Sequence, residues 1–397
     1  MTLIIKGGKL FDGLGACLTG RAVVIEGGKV RDVLHIEQLP VESSAQVIDA
    51  AGCTVMPGLI DCHIHICESG AADSTLESLE PDGLLALRGA HNAGTLLGCG
   101  FTTVRSLGTQ HHVDIALREA IARGYVRGPR ILAAGEVITM TGGHGWRGGR
   151  QVDGPDEARK AAREQLRAGA DVIKIMATGG VMTPGVDPGS PQLTIEEMRA
   201  AVEEAHKAGR RTTTHAQGTV GIQNAILAGL DCIDHGIFLD EKTVEMMLAR
   251  NVALVPTLVA PYHIVRGGIE AGIPAYAVEK AQRIADTHRA SFRLALQAGV
   301  TIAFGTDCGT PLNQPGQNAL ELEQMVAEGM TPTQALMAAT SVAARVIDRE
   351  HLIGSIEAGK LADVLVVRGD VTQDVTLLQD ESNILRVVKD GVICVAR

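Results

Sequence analysis

One repeated junction constrains this chain more than any other feature. A helical stretch stops at a glycine, and a β-branched run follows directly. Gly100 precedes Phe101-Thr102-Thr103-Val104, Gly169 leads into Val172-Ile173-Lys174-Ile175, and Gly209 into Thr212-Thr213-Thr214-His215. Gly229 precedes Cys232-Ile233-Asp234-His235, and Gly299 precedes Val300-Thr301-Ile302-Ala303-Phe304. Glycine is the residue that most readily takes the left-handed position just past a helix end, and at Ala249-Arg250-Asn251 the other tolerant residue, asparagine, stands in its place. With the runs ending at His63 and at Ala134, the chain offers eight β-then-α units. The helices between them carry start signals, such as the capping box Thr194 to Glu197, and a single apolar face of Ile195, Met198, Ala201, Val202 and Ala205. Eight unbroken units predict an α/β fold of the (β/α)₈ TIM type rather than an open doubly wound sheet. A core poor in aromatics (2%) and rich in Ala, Val, Ile and Leu suits close helix-on-strand packing.

The two ends of the chain have a different style. Residues 1–56 read as short strands with glycine turns: Leu3-Ile4-Ile5, then Ala22 to Val30 with Gly27-Gly28 as a hairpin signal, then Ala45-Gln46-Val47-Ile48. Residues 351–397 repeat it in Val364-Leu365-Val366-Val367 and in Arg386 to Cys394. We expect both ends to build one small β-sandwich, with residues 57–350 as the barrel between them.

Composition narrows the function. A net charge of −10 without a Lys/Arg cluster argues against a nucleic-acid surface. The opening Met1-Thr2-Leu3-Ile4-Ile5-Lys6 is neither a signal peptide nor a membrane span, so a cytoplasmic protein without a membrane partner is expected. Eight cysteines lack C-x-x-C spacing and read mostly as buried thiols. A homo-oligomer is expected.

Chemistry enters at the strand ends, where a barrel of this kind keeps its active site. His63 and His65 alternate with Cys62 and Ile64, so both imidazoles face one side of the first strand. The fourth strand offers Lys174, the fifth His215, the sixth His235 and the eighth Asp307. Each has a plain structural reading. Either histidine alone could be a satisfied core residue, Asp307 in Gly305-Thr306-Asp307 a helix cap, and Lys174 a side chain reaching to the rim. Six such residues at the matching ends of five strands favour the joint reading, a metal site. Cys62 and Cys308 neighbour these residues but alternate away from them.

With these residues in place the chain resembles the amidohydrolase superfamily over nearly its whole length. The entry Val55-Met56-Pro57-Gly58-Leu59-Ile60-Asp61 and the exit Gly354-Ser355-Ile356-Glu357-Ala358-Gly359-Lys360-Leu361-Ala362-Asp363 look like that family. The strand-4 lysine resembles the binuclear branch. That resemblance implies His63, His65 and Asp307 on the more buried metal, His215 and His235 on the other, and a CO₂-derived carbamate on Lys174 bridging two divalent ions. Zinc suits such His/carboxylate sites best, with manganese or cobalt as substitutes. An unpaired buried ammonium beside two cations would be electrostatically untenable, and carboxylation turns it into an anion. Two metals would lower the pKa of a shared water and polarise a carbonyl, with Asp307 placed to carry the proton to the leaving nitrogen.

Three glycine- and turn-rich segments are expected at the rim: Thr141 to Arg150, Thr178 to Gly185 and Pro261 to Arg266. His144 resembles a residue that helps polarise the scissile carbonyl in peptidase-like members. Arg147, Arg150, Tyr262 and His263 are candidates to bind a substrate carboxylate. The resemblance thus implies hydrolysis of a small amide or dipeptide at the bond to a C-terminal amino acid, as in prolidase-like dipeptidases or amidases of N-acyl conjugates such as ochratoxin. A cyclic-amide hydrolase resembling imidazolonepropionase is the alternative, and Lys174 counts against its single metal. A deaminase would carry Glu three residues after the strand-5 histidine, where this chain has Gly218. A non-catalytic barrel serving as an assembly scaffold would typically have lost ligands.

Overall fold

The computed structural model describes residues 2–39, 45–74 and 77–397, without the side chain of Ser78. The N-terminal part runs through β1 (Leu3–Lys6), β2 (Lys9–Phe11), β3 (Cys17–Leu18), β4 (Arg21–Glu26), β5 (Lys29–His35), β6 (Gln46–Asp49) and β7 (Cys53–Pro57). Strand–helix alternation then begins with β8 (Leu59–Ile64) and α1 (Asp82–Gly98), followed by β9 (Phe101–Ser106) and α2 (Val113–Ala122). Next come β10 (Arg130–Ala133), β11 (Ile138–Met140), β12 (Arg150–Val152) and α3 (Pro155–Ala168). The pattern continues with β13 (Val172–Met176), α4 (Ile195–Lys207), β14 (Arg211–Ala216), α5 (Thr219–Ala228), β15 (Cys232–His235) and α6 (Glu241–Arg250). It ends with β16 (Ala253–Val255), α7 (Val259–Gly267), α8 (Ala275–Ala298), α9 (Leu320–Ala327), α10 (Pro332–Ala338) and α11 (Ser341–Val346). The last strands are β17 (Val364–Arg368), β18 (Ile384–Lys389) and β19 (Val392–Ala396).

The local signals behave as the residue chemistry requires. Gly169, Gly229 and Gly299 close α3, α5 and α8 in the left-handed conformation, and Asn251 does so for α6 at φ 53°. Thr194 caps α4 and Glu197 returns to the Thr194 backbone, a device contributing about 1 kcal/mol. Met198, Ala201, Val202 and Ala205 of that helix are buried.

All pairings of β8 to β16 are parallel. One sheet has the order β10-β9-β8 and another β12-β11-β13-β14-β15-β16. The expected eighth strand is reduced to bridges, Ile302 with Leu254 and Cys308 with Ile64, both parallel. Its backbone still bonds to both neighbours: Leu254 N–H donates to Thr301 O (2.9 Å) and Cys62 N–H to Phe304 O (3.0 Å). A regular ladder stops there because the segment bends toward Asp307, whose φ is 60°. Between β10 and β13, Asp171 N–H donates to Ala133 O at 2.8 Å. Helices pack on these strands through a large shared core that includes Leu96, Phe101, Ile173, Met198, Ile226 and Phe304.

Strands from the two chain ends pair with each other. β17 lies antiparallel to β7, within the order β19-β18-β17-β7-β2-β3. A second sheet, β5-β4-β1-β6, shares one buried cluster with it, in which Ile5, Val23 and Ile25 meet Val55, Val364 and Val366. No helix among the described residues is long and apolar enough to cross a membrane.

Candidate metal centre

His63 is 1% exposed near the end of β8, and His65 follows just beyond it. Their Nε2 atoms both lie 3.1 Å from Asp307 Oδ1, and the three ligand atoms fall within 4.8 Å of one another. Tertiary bonds bring Asp307 there from the other end of the sequence. Asp307 N–H donates to His63 O at 2.7 Å. Asp61 takes hydrogen bonds from Thr306 Oγ1 (2.7 Å) and Asn318 Nδ2 (2.8 Å). Glycine is required at 305, because a Cβ there would meet Val255 Cγ1 at 2.3 Å and the His63 backbone N at 3.1 Å.

Four more expected residues join this cluster. Ring centroids are 5.1 Å apart for His63 and His235, 4.5 Å for His235 and His215, and 4.2 Å for His215 and His144. Together with His65 they form a continuous run of five imidazoles. Lys174 is 1% exposed beneath them. Strand alternation alone would send His235 away from Asp234; a φ of 72° at His235 turns both inward.

Neighbouring groups set the ring tautomers. His215 Nε2 lies 2.9 Å from Gly179 O, which can only accept, so Nδ1 keeps its lone pair. Thr257 Oγ1 donates to Pro256 O, so it accepts from His235 Nδ1 at 2.7 Å and leaves Nε2 as the free donor atom. Burial holds both rings well below the ordinary histidine pKa, hence neutral. Burial opposes charge on His65 as well, but Glu68 and Asp307 outweigh it and raise its pKa to about 9. Asp307 is held well below the carboxylate range, against its burial, by His63 and His65. The surroundings therefore favour a cation, and neutral imidazoles beside an ionised carboxylate are the donor set that divalent metal needs.

Lys174 departs from expectation in one respect: it is not unpaired. Its Nζ donates to Asp234 Oδ2 at 2.5 Å, and Asp234 is fully buried. Arg105 Nη2 lies 3.5 Å from the other carboxylate oxygen. Reading the sequence for strand ends passed over both residues. The available signal was a charge in the middle of each buried run, Thr102 to Ser106 and Cys232 to His235.

A cavity opens over the cluster. Its walls include Val137, Met176, Val181, Met182, Ile237 and Ile284 as well as His144, Trp146 and Arg147. His144 Nδ1 lies 2.8 Å from Thr183 Oγ1, and burial pushes its pKa down to about 4. Arg147 is exposed, stacks over Trp146 at 5.3 Å and makes no ion pair among the described residues.

The other three rim candidates lie apart from the cavity lining. Arg150 begins β12, and its Nε donates to Glu164 Oε2 of α3 at 2.8 Å. The segment holding Tyr262 and His263 is not a loop but helix α7. Helical spacing gives the cavity Ala260, Pro261 and Ile264, while the Tyr262 hydroxyl accepts from Arg266 at 2.7 Å. His263 Nε2 is buried without a hydrogen-bond partner among the described residues, and burial lowers its pKa to about 4. Cys62 and Cys308 stay outside the cluster, Cys62 packing toward the Ala343 carbonyl.

An amidohydrolase family profile matches residues 54–394, and the chain belongs to that family. It is a hydrolase of amide carbon–nitrogen bonds, and the family implies divalent metal. The chain is 31% identical to ochratoxinase of Aspergillus niger, over 98% of this chain and 85% of that protein. Among solved structures it resembles a Xaa-Pro dipeptidase with methionine bound in its active site, at 34% identity and TM-score 0.90, covering 99% of each chain. A prolidase complexed with N-methylphosphonate-L-proline is 31% identical with TM-score 0.91, and all of both chains is covered.

Proposed function

We propose that this enzyme uses two metal ions to hydrolyse the amide bond between an acyl or aminoacyl group and a C-terminal amino acid. The observation that carries this reading is the convergence of His63, His65, His215, His235 and Asp307 around a buried Lys174. Carboxylated Lys174 would help these residues hold the ions, with zinc as the first choice. A cyclic-amide hydrolase with one metal would have no use for a lysine there. The parallel strand order and the bonds of residues 301–308 support a closed (β/α)₈ barrel over residues 57–350. The shared core of the terminal strands supports a small sandwich from residues 1–56 and 351–397.

When bound, the two ions supply an acidic water and polarise the substrate carbonyl. Asp307 would hold the proton released in the attack and pass it to the leaving nitrogen. His144, neutral by burial, donates a hydrogen bond to the developing oxyanion. Arg147 receives the substrate carboxylate at the mouth. The walls around Met176, Val181, Ile237 and Ile284 exclude water and accept an apolar side chain.

The test is a screen of the metal-loaded enzyme on Xaa-Pro, Xaa-Arg and N-acyl amino acid libraries, each as the free acid and as the amide. Charge-assisted bonds to a carboxylate contribute about 1.5–3 kcal/mol. Amidation should therefore cost at least about tenfold in kcat/KM, and Arg147→Ala should reproduce part of that loss. Equal turnover of acid and amide would overturn the substrate class.

A further inference from the structure

Arg105 has the largest completely buried side chain among the described residues. From β9 it reaches beneath the metal cluster, where Nε donates to Cys62 O at 2.6 Å and Nη2 lies 3.5 Å from Asp234 Oδ1. Asp234 joins five groups, the Cys232 thiol at 3.9 Å from Oδ1 among them. Lys174 Nζ donates to Oδ2 at 2.5 Å, Thr213 Oγ1 lies 2.9 Å from both oxygens, and His63 Nδ1 is 3.6 Å from Oδ1. His63 Nδ1 is buried and has no hydrogen-bond partner among the described residues. Nothing in the reaction above uses Arg105 or Asp234, although burying charge is costly unless it is matched.

The charges here do not match while Lys174 is an ammonium. Two cations flank one carboxylate, directly below the place for two divalent ions. Carboxylation removes the excess. The ammonium loses a proton to water, the amine lone pair bonds to the carbon of CO₂, and a second proton leaves. R–NH₃⁺ and CO₂ thus become R–NH–COO⁻ and two protons. The product keeps one N–H, which can still donate to Asp234 Oδ2, and Arg105 then balances Asp234 alone.

We propose that Arg105 and Asp234 form a buried seat for the metal centre. Arg105 is the permanent counter-ion of Asp234. Asp234 in turn aims the Lys174 nitrogen and His63 Nδ1, so that the carbamate and His63 Nε2 face the metals. Both are positioning residues, and the inference rests on the binuclear reading.

The experiment reloads metal-stripped wild type, Arg105→Met, Arg105→Lys and Asp234→Asn with zinc in ¹³C-bicarbonate. It reads ions per chain, the carbamate carbon resonance, and kcat and KM. Wild type should hold two ions and show the resonance. Arg105→Met should need about 10–100-fold more bicarbonate for the resonance and the second ion, the range seen when outer partners of metal ligands are removed. Its kcat should fall more than its KM changes, and Arg105→Lys should recover part of each. If Arg105→Met does not fold, Asp234→Asn, which keeps the shape, is expected to show the same shift. Two ions and wild-type bicarbonate dependence in the variants would overturn the seat and leave the binuclear reading intact. Absence of the resonance in wild type would overturn that reading and the seat with it. Loss of folding in both Arg105→Met and Asp234→Asn would overturn the positioning role in favour of a structural one.

Discussion

Gly180 lies against the face of His144, and adding one methyl group there tests the role assigned to that imidazole. A Cβ on Gly180 would stand 2.4 Å from His144 Cε1 and 2.6 Å from both ring nitrogens. Ordinary carbon contacts begin near about 3.5 Å, so the ring must retreat by about 1 Å. The loop cannot easily yield instead, because Lys280 Nζ donates to Thr183 O at 2.7 Å and Tyr276 Oη to Met182 O at 3.0 Å. Gly180 is outside the left-handed region, so alanine adds no backbone strain of its own. A misplacement of about 1 Å in a group that orients the reacting atoms costs up to about 10²-fold, or about 2.7 kcal/mol of barrier. We expect Gly180→Ala to lose about that factor in kcat/KM with little change in melting temperature. In a His144→Ala background the same methyl group has room, and its further effect should stay within about twofold, leaving a coupling of about 2.5 kcal/mol. The assay is steady-state hydrolysis by wild type, both single variants and the double variant, all metal-loaded. An equal loss in both backgrounds would show that Gly180 acts through the backbone. Full activity of Gly180→Ala would remove His144 from the mechanism.

Other outcomes follow from the same geometry. Lys174→Ala should abolish turnover and lower bound metal on elemental analysis, and short carboxylic acids should restore part of the activity by replacing the carbamate. Asp307→Asn should lose about 10²–10⁴ in kcat, far more than it loses in metal content; near-normal turnover would reassign the proton carrier. His288 is 1% exposed, and burial lowers its pKa to about 4 from the ordinary histidine value of about 6.5. Its neutral form is the folded one, so below pH 6.5 the unfolded chain binds the extra proton. Stability should therefore fall between pH 6.5 and 4, by roughly 3 kcal/mol from this group. His288→Gln should flatten that part of a denaturation-versus-pH curve; an unchanged slope would refute it. Arg150→Ala and Tyr262→Phe, whose side chains are engaged by Glu164 and Arg266 away from the cavity, should leave kcat/KM within about twofold of wild type.

The sequence alone determined those features whose cause is local. Helix ends follow from glycine or asparagine at the left-handed position, as at Gly169, Gly229 and Asn251. The shared face of His63 and His65 follows from strand alternation, and the site's place at the strand ends follows from the order of the units. Tertiary structure decided which groups meet between strands and which way each rim side chain turns. Asp234 looks like any residue of a buried run until Lys174 and Arg105 arrive from two other strands. His235 faces the site only because a positive φ breaks the alternation that a sequence reading must assume. Arg150, Tyr262 and His263 read as rim residues, yet a distant carboxylate holds the first, and one helix, α7, carries the other two away. Periodicity is a property of neighbours in the chain. Contacts such as those of Arg105 with Thr213 and Asp234, both at 3.5 Å and more than 100 positions along the chain, depend on register and on backbone bends, which no local pattern encodes.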